Sequence, residues 1–138
     1  MGAEKAAEME QVLEHARSMR HEGVVLNAPV AKESLVEEFA SARVMLYRGD
    51  INETFCLAVG EAQAAGVPAV VQRIGSVVER VIDGQTGTIA GDDQAFAAAA
   101  VKLLNDDETW RRYHETALEE QSKWGWADAA RSFERLIP

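Results

Sequence analysis

Apolar residues recur at helical spacing over residues 4–21, where Met9, Val12, Leu13, Ala16 and Met19 or Arg20 drift along one face. The pattern then changes to a short β-branched run, GVVLNAP, closed by Pro29, which predicts a buried strand over residues 23–29. KESLVEEFASA, from residue 32, returns to helical spacing through Leu35, Val36 and Phe39. RVMLYRGD, from residue 43, is a continuous apolar run ending in turn residues and predicts a second strand. A largely apolar helix follows within ETFCLAVGEAQAAGVP, residues 53–68, stopped by Gly66 with Pro68 two residues beyond. PAVVQRIG predicts a third strand, SVVERVI a short helix, DGQTG a turn and TIA a brief closing strand.

The strands are continuously apolar and alternate with helices, a combination that implies a parallel sheet covered on both faces. The C-terminal third reads as helical throughout. DDQAFAAAAVKLLND has an acidic start and an apolar face of Phe96, Ala100, Leu103 and Leu104. DETWRRYHETALEEQ adds Trp110, Tyr113 or His114, Ala117 and Leu118, with the acids at 106–108 placed to cap its start. WGWADAARSFERLI puts Trp126, Ala130, Phe133 and Ile137 on one side, and Trp124 with Trp126 is expected to anchor this last helix in the core. The expected fold class is α/β, a Rossmann-like parallel sheet flanked by helices with a helical C-terminal end, in one domain over residues 1–138.

Composition narrows the function. A formal net charge of -9 and a pI near 4.8 argue against a nucleic-acid partner held by phosphate electrostatics, without excluding a small anion bound by backbone N–H groups. The single cysteine, Cys56, permits no intrachain disulfide, and a cytoplasmic location is the expectation. His15, His21 and His114 are scattered without metal-ligand spacing, so no metal site is expected. Cys56 at a helix start can be read as a thiol of lowered pKa or as a small core residue, and the second reading fits better.

Glu61 is the chemical oddity. Its neighbours at three and four residues are Leu57, Ala58, Ala64 and Ala65, so the helix itself offers it no ion pair. Either one stripe of the helix meets solvent, or the carboxylate serves a ligand. Gly60 beside it, unfavourable in a helix by about 1 kcal/mol against Ala, points to close approach by another group. The helix starts just after a strand and its turn, at the carboxyl edge of the sheet, where open α/β folds bind ligands. Its first N–H groups, those of Phe55, Cys56 and Leu57, form a candidate anion cradle. Glu61 lies about 9 Å further along the axis at 1.5 Å per residue, placed for a ribose diol. Glu53, before the helix start, is placed for sugar hydroxyls beyond the phosphates. Two acids flanking an anion cradle suit a nucleotide-sugar.

The region ETFCLAVGEAQAAGVPAVVQRIGSVVERVIDGQTGTIA resembles the signature of family 4 (group 1) glycosyltransferases, retaining enzymes of the GT-B fold. The family pattern is E-small-F-G-L-x-x-x-E-A-x-A-x-G-x-P-V-V, then a Gly-Gly loop, an acid and an xDGxTG turn. Glu53 and Glu61 match the two acids, Gly66 and Pro68 the helix stop, Gly75 and Glu79 the loop and its acid. Asp83, Gly84, Thr86 and Gly87 match the turn, and the likeness runs through nearly the whole chain. The resemblance implies that Glu53 contacts the donor sugar as the catalytic-site acid and that Glu61 holds the ribose. It makes Phe55, Cys56 and Leu57 the phosphate cradle, Gly75 and Ser76 the adjoining loop, and Pro29 and Val30 neighbours of the base. The implied substrate is a UDP-, GDP- or ADP-sugar, with no cofactor and no metal.

Two departures are local: Cys56 stands where the family has Gly, and Ser76 replaces the second Gly of the loop. A larger one concerns extent. The resemblance implies a preceding N-terminal acceptor domain, and a first βα unit with a basic phosphate-binding loop, so the chain corresponds to one incomplete half of a GT-B fold. On that reading it is inactive alone and needs the missing domain or a partner subunit; peripheral membrane association of the full enzyme is compatible with it. Arg48 and Arg73, at the ends of predicted strands, are cations to which the family pattern gives no role. A non-catalytic nucleotide-binding or interaction module is the alternative. A flavodoxin-like receiver ranks last, because acids are not clustered at the end of an early strand.

Overall fold

The computed structural model describes residues 2–123 and 125–137. The chain divides into two units, Met1–Ser34 and Leu35–Pro138, each described by itself.

In the first unit, helix α1 (Gly2–Ser18) runs into a 3-10 turn (Met19–Glu22). Gly23, at φ 96°, ends it and returns its N–H to the carbonyl of Arg20. Arg17 bridges Glu10 and Glu14 at 2.8 and 3.3 Å on the exposed surface. The strand expected over 23–29 is not formed: residues 24–31 carry no regular structure, and Val25 is 72 % exposed. A β-branched run becomes a strand only when a neighbour completes its ladder and a core receives its side chains. No side chain described in residues 5–34 is buried, so neither condition is met there.

Helix α2 (Lys32–Ser41) spans the division between the units, with Leu35 and Phe39 half-buried as its spacing predicts. The second unit is built on a parallel sheet of β1 (Met45–Tyr47), β2 (Ala69–Gln72) and β3 (Gly87–Ala90), in that spatial order. Met45 stands opposite Ala69, and Ala69 opposite Gly87. All four residues of β2 are buried, which is why its sequence shows no polar alternation. Ala69 and Val71 pack with Cys56, Val59, Val77 and Val81 on the side of helix α3 (Leu57–Ala64). Val70 packs with Leu103 and Tyr113, on the side of α4 (Asp93–Asn105) and α5 (Asp107–Ser122).

Local chemistry sets the boundaries. Asp92 and Asp106 cap α4 and α5 by accepting the N–H of Ala95 at 2.8 Å and of Thr109 at 2.9 Å, as the acidic starts predict. In the DGQTG turn, Asp83 accepts the N–H of Ile89 and buried Thr86 accepts the N–H of Ile82, folding the turn back onto β3. Gln63, fully buried on α3, donates to the Thr86 hydroxyl at 3.1 Å and accepts from Gln121 at 3.0 Å. Helix α6 (Trp126–Glu134) is formed, but Trp126 is 92 % exposed and Phe133 71 %, so Trp126 does not anchor it in the core as expected. Trp126, Ala130, Phe133 and Ile137, the apolar stripe that periodicity finds on α6 and just beyond it, are all exposed, and Trp124 lies outside the described residues. Among the described residues no helix is long and apolar enough to cross a membrane.

Candidate functional site

Strand β1 ends at Tyr47, and after nine intervening residues α3 begins, so its first turn stands at the carboxyl edge of the sheet. The connecting loop is ordered by its own polar groups. The Asp50 carboxylate accepts the N–H of Asn52 at 2.7 Å, and its carbonyl accepts the N–H of Glu53 at 3.0 Å. Gly75, at φ 64°, lies so close beneath this loop that a Cβ would overlap the Asp50 carbonyl oxygen. The glycine expected at the loop after β2 is thus required by contact with the Glu53 loop.

Glu53 is half-buried at the centre of this arrangement. Its Oε1 accepts three consecutive backbone N–H groups, from Thr54 at 3.1 Å, Phe55 at 3.3 Å and Cys56 at 2.9 Å. Its Oε2 accepts the Tyr47 hydroxyl at 3.2 Å. The amides of Cys56 and Phe55 hold the Glu53 carboxyl below the usual carboxylate range, because they bond to the charged form. The same surroundings, burial first and then the Glu53 hydrogen bond, push the Tyr47 phenol up. Cys56 takes left-handed backbone angles, φ 52° and ψ 68°, at the position where the family pattern has Gly. Its thiol points into the core, and burial raises its pKa; a thiolate at this helix start is therefore disfavoured.

Helix α3 buries Val59, Ala62 and Gln63, while Leu57 is 66 % exposed and Glu61 half-buried. Glu61 lies on a stripe of α3 that approaches solvent, further along the helix than the amides held by Glu53. The close approach expected at Gly60 is not found: a Cβ there would meet only the Cδ of Arg80, at 3.9 Å, an ordinary contact. Arg80 closes the 3-10 segment Gly75–Arg80, and its guanidinium lies over the Phe55 ring at 3.7 Å from the centroid. At the other end of that segment the Ser76 N–H reaches the Glu53 carbonyl at 3.3 Å.

Glu53, Phe55, Cys56, Leu57, Gly75 and Ser76 are therefore brought together around the start of α3, with Glu61 further along the helix. Pro29 and Val30 are exposed and belong to the irregular segment of the other unit. The Phe55 and Cys56 amides expected to be open are occupied by the Glu53 carboxylate, a local loop conformation that helical spacing cannot reveal. Tyr47 and Arg80 were missed by the sequence reading. The signal for Tyr47 was its place as the last residue of a strand ending at a ligand edge, and for Arg80 a cation in an otherwise apolar stretch. Arg48 pairs with Gln72 at 3.1 Å and with Asp93 at 2.9 Å across the strand ends, whereas Arg73 is exposed. Among the described residues no three His, Cys, Asp or Glu side chains gather as around a metal ion.

Comparison with known proteins addresses the family directly. Residues 1–106 match the model of Glycosyl transferases group 1. The D-inositol 3-phosphate glycosyltransferase of Corynebacterium diphtheriae is 35 % identical over 135 residues, covering 95 % of this chain and 31 % of that enzyme. Its counterpart in Streptomyces avermitilis is 35 % identical over 104 residues, covering 74 % of this chain and 22 % of that enzyme. Sucrose-phosphate synthase from Thermosynechococcus elongatus superimposes with a TM-score of 0.77 at 23 % identity, over 94 % of this chain and 33 % of that one. The chain thus spans about a third or less of these relatives, and its three parallel strands and flanking helices correspond to part of a GT-B fold. It belongs to the group 1 glycosyltransferases.

Proposed function

We propose that the chain is the donor-nucleotide portion of a retaining glycosyltransferase, which binds a nucleoside-diphosphate-sugar for transfer to an acceptor held elsewhere in the full enzyme. The observation that carries this reading is the Glu53 carboxylate bound by three consecutive amides at the start of α3. A nest of backbone N–H groups at a helix start accepts an anion, and here an internal carboxylate takes that place. On donor binding, the diphosphate replaces Glu53 on the Phe55 and Cys56 amides and engages Leu57. The displaced carboxylate then turns to the sugar hydroxyls beyond the phosphates, while Glu61 receives the ribose diol. Gly75 and Ser76 border the sugar side.

Chemistry in this reading is alignment and charge stabilisation: the amides hold developing charge on the departing diphosphate as the glycosidic bond breaks. The reaction proposed here uses no metal or cofactor. The acceptor, by analogy with a phosphorylated polyol in the relatives' names, is a hydroxylated small molecule. Titration calorimetry with UDP, GDP, ADP and their sugars tests the reading. One nucleotide should bind, and Glu61→Ala should weaken it by about tenfold or more, the worth of a hydrogen bond to a charged group. Binding by none of the six, or unchanged binding by Glu61→Ala, would sink it.

A further inference from the structure

The site contains a cation to which neither the family pattern nor the reading above gives a role. Arg80 is half-buried; its guanidinium stacks on Phe55, itself the second of the three residues whose N–H groups hold Glu53. Its Nε is buried and has no hydrogen-bond partner. On the same 3-10 segment, which packs against α3, the Ser76 hydroxyl oxygen is likewise buried without a partner. These two side-chain atoms are the buried ones left unsatisfied among the described residues.

Each feature is costly alone. A buried donor without an acceptor loses hydration and recovers nothing, and a charged donor loses most. A guanidinium near the first turn of a helix also faces the positive end of the helix dipole, the unfavourable sign. Stacking on Phe55 offsets part of this and fixes the plane of the fork, but an aromatic face does not supply an acceptor to Nε. One occupant resolves all three conditions: an anion shared between the helix start, the guanidinium and the hydroxyl.

We propose that Arg80 is a ligand of the donor diphosphate, held in position by Phe55, with the Ser76 hydroxyl as a second donor from the start of the same 3-10 segment. This rests on the donor-site reading and deepens it by supplying the positive charge that amides alone lack. The planar fork suits two phosphate oxygens at once, and the stacked ring removes the freedom that an arginine ordinarily loses on binding. Arg80 then favours the departing diphosphate irrespective of the base attached to it.

The test is calorimetry with UDP, GDP and ADP on the wild-type chain and on Arg80→Leu, Arg80→Gln, Arg80→Lys and Ser76→Gly, each checked for folding by its thermal melt. For the nucleotide that the wild type binds best, Arg80→Leu and Arg80→Gln should weaken affinity by about tenfold or more. Arg80→Lys should recover part of the loss, Ser76→Gly should weaken binding by less, and the ranking of the three bases should stay unchanged. Should Arg80→Leu disturb folding, the Gln and Lys pair carries the comparison, since both keep a long polar stem and differ in charge. Equal binding by Arg80→Gln and the wild type overturns the proposal, as does a changed base ranking with little change in overall affinity. If Arg80→Gln binds normally while Glu61→Ala does not, the donor reading stands and Arg80 has no part in it. If the wild type binds none of the three, both fall together.

Discussion

At the scale of single residues, the carboxylate of Glu53 that is proposed to serve the donor also contributes to stability. Its charged form is what the amides of Cys56, Phe55 and Thr54 bind, so its folded-state pKa is depressed. A depressed carboxylate contributes stability that is present above its unfolded pKa, near 4.3, and lost as pH falls through the folded value. Glu53→Gln should therefore melt a few degrees below the wild type at neutral pH. The gap should narrow as pH drops below the ordinary carboxylate range and close once both states of the wild type are protonated. Melting curves of the two proteins from neutral to acidic pH check this, and a gap independent of pH would show that the ionised form is not what the amides hold. Sequence alone placed Glu53 and Glu61 beside a helix start, because residue spacing translates directly into position along a helix. It could not place the Glu53 side chain on its own amides, since that depends on the loop dihedrals between residues 53 and 56. The same holds for Cys56, whose left-handed φ is invisible until the loop is seen, although the family's Gly at that position foreshadows it.

Among the elements, legibility followed the source of each one's stability. Strand β2 and helices α4 and α5 were readable because propensity, caps and burial agree: Asp92 and Asp106 cap, and Leu103 and Tyr113 are buried where periodicity puts them. The run at 23–29 and the stripe on α6 were apolar enough to be predicted as strand and anchored helix. Neither periodicity nor propensity shows whether a partner surface exists, and both are exposed. Helix α3 holds a third case, a residue whose local cost has no packing reason. Gly60 lies mid-helix, and a Cβ there would meet only the Arg80 Cδ at 3.9 Å. Gly60→Ala is therefore expected to raise stability by about 0.5–1 kcal/mol, through helix propensity and reduced freedom of the unfolded chain. Denaturant titration should show a higher midpoint at unchanged slope. Destabilisation would mean that α3 needs the freedom of glycine at Gly60 when the cradle opens or that Arg80 cannot yield.

For the whole molecule, the energetic weight lies in Leu35–Pro138. Both apolar core clusters belong to that unit, one on each side of β2, while no side chain described in residues 5–34 is buried. Burial supplies most of the free energy that opposes chain entropy, so a segment without buried side chains adds little to cooperative stability. A chain starting at Lys32, which keeps the whole of α2, should then unfold in a single transition. Its midpoint should lie within about 5 °C of the full chain, the shift that roughly 1 kcal/mol gives a domain of this size. Calorimetric and circular-dichroism melts of both chains decide the matter, with the loss of helical signal expected to be confined to that of α1 and its 3-10 turn. A much lower or broadened transition would place part of the core's support in residues 1–31. If the shortened chain keeps its melt but loses nucleotide binding, that segment would serve the ligand rather than the fold.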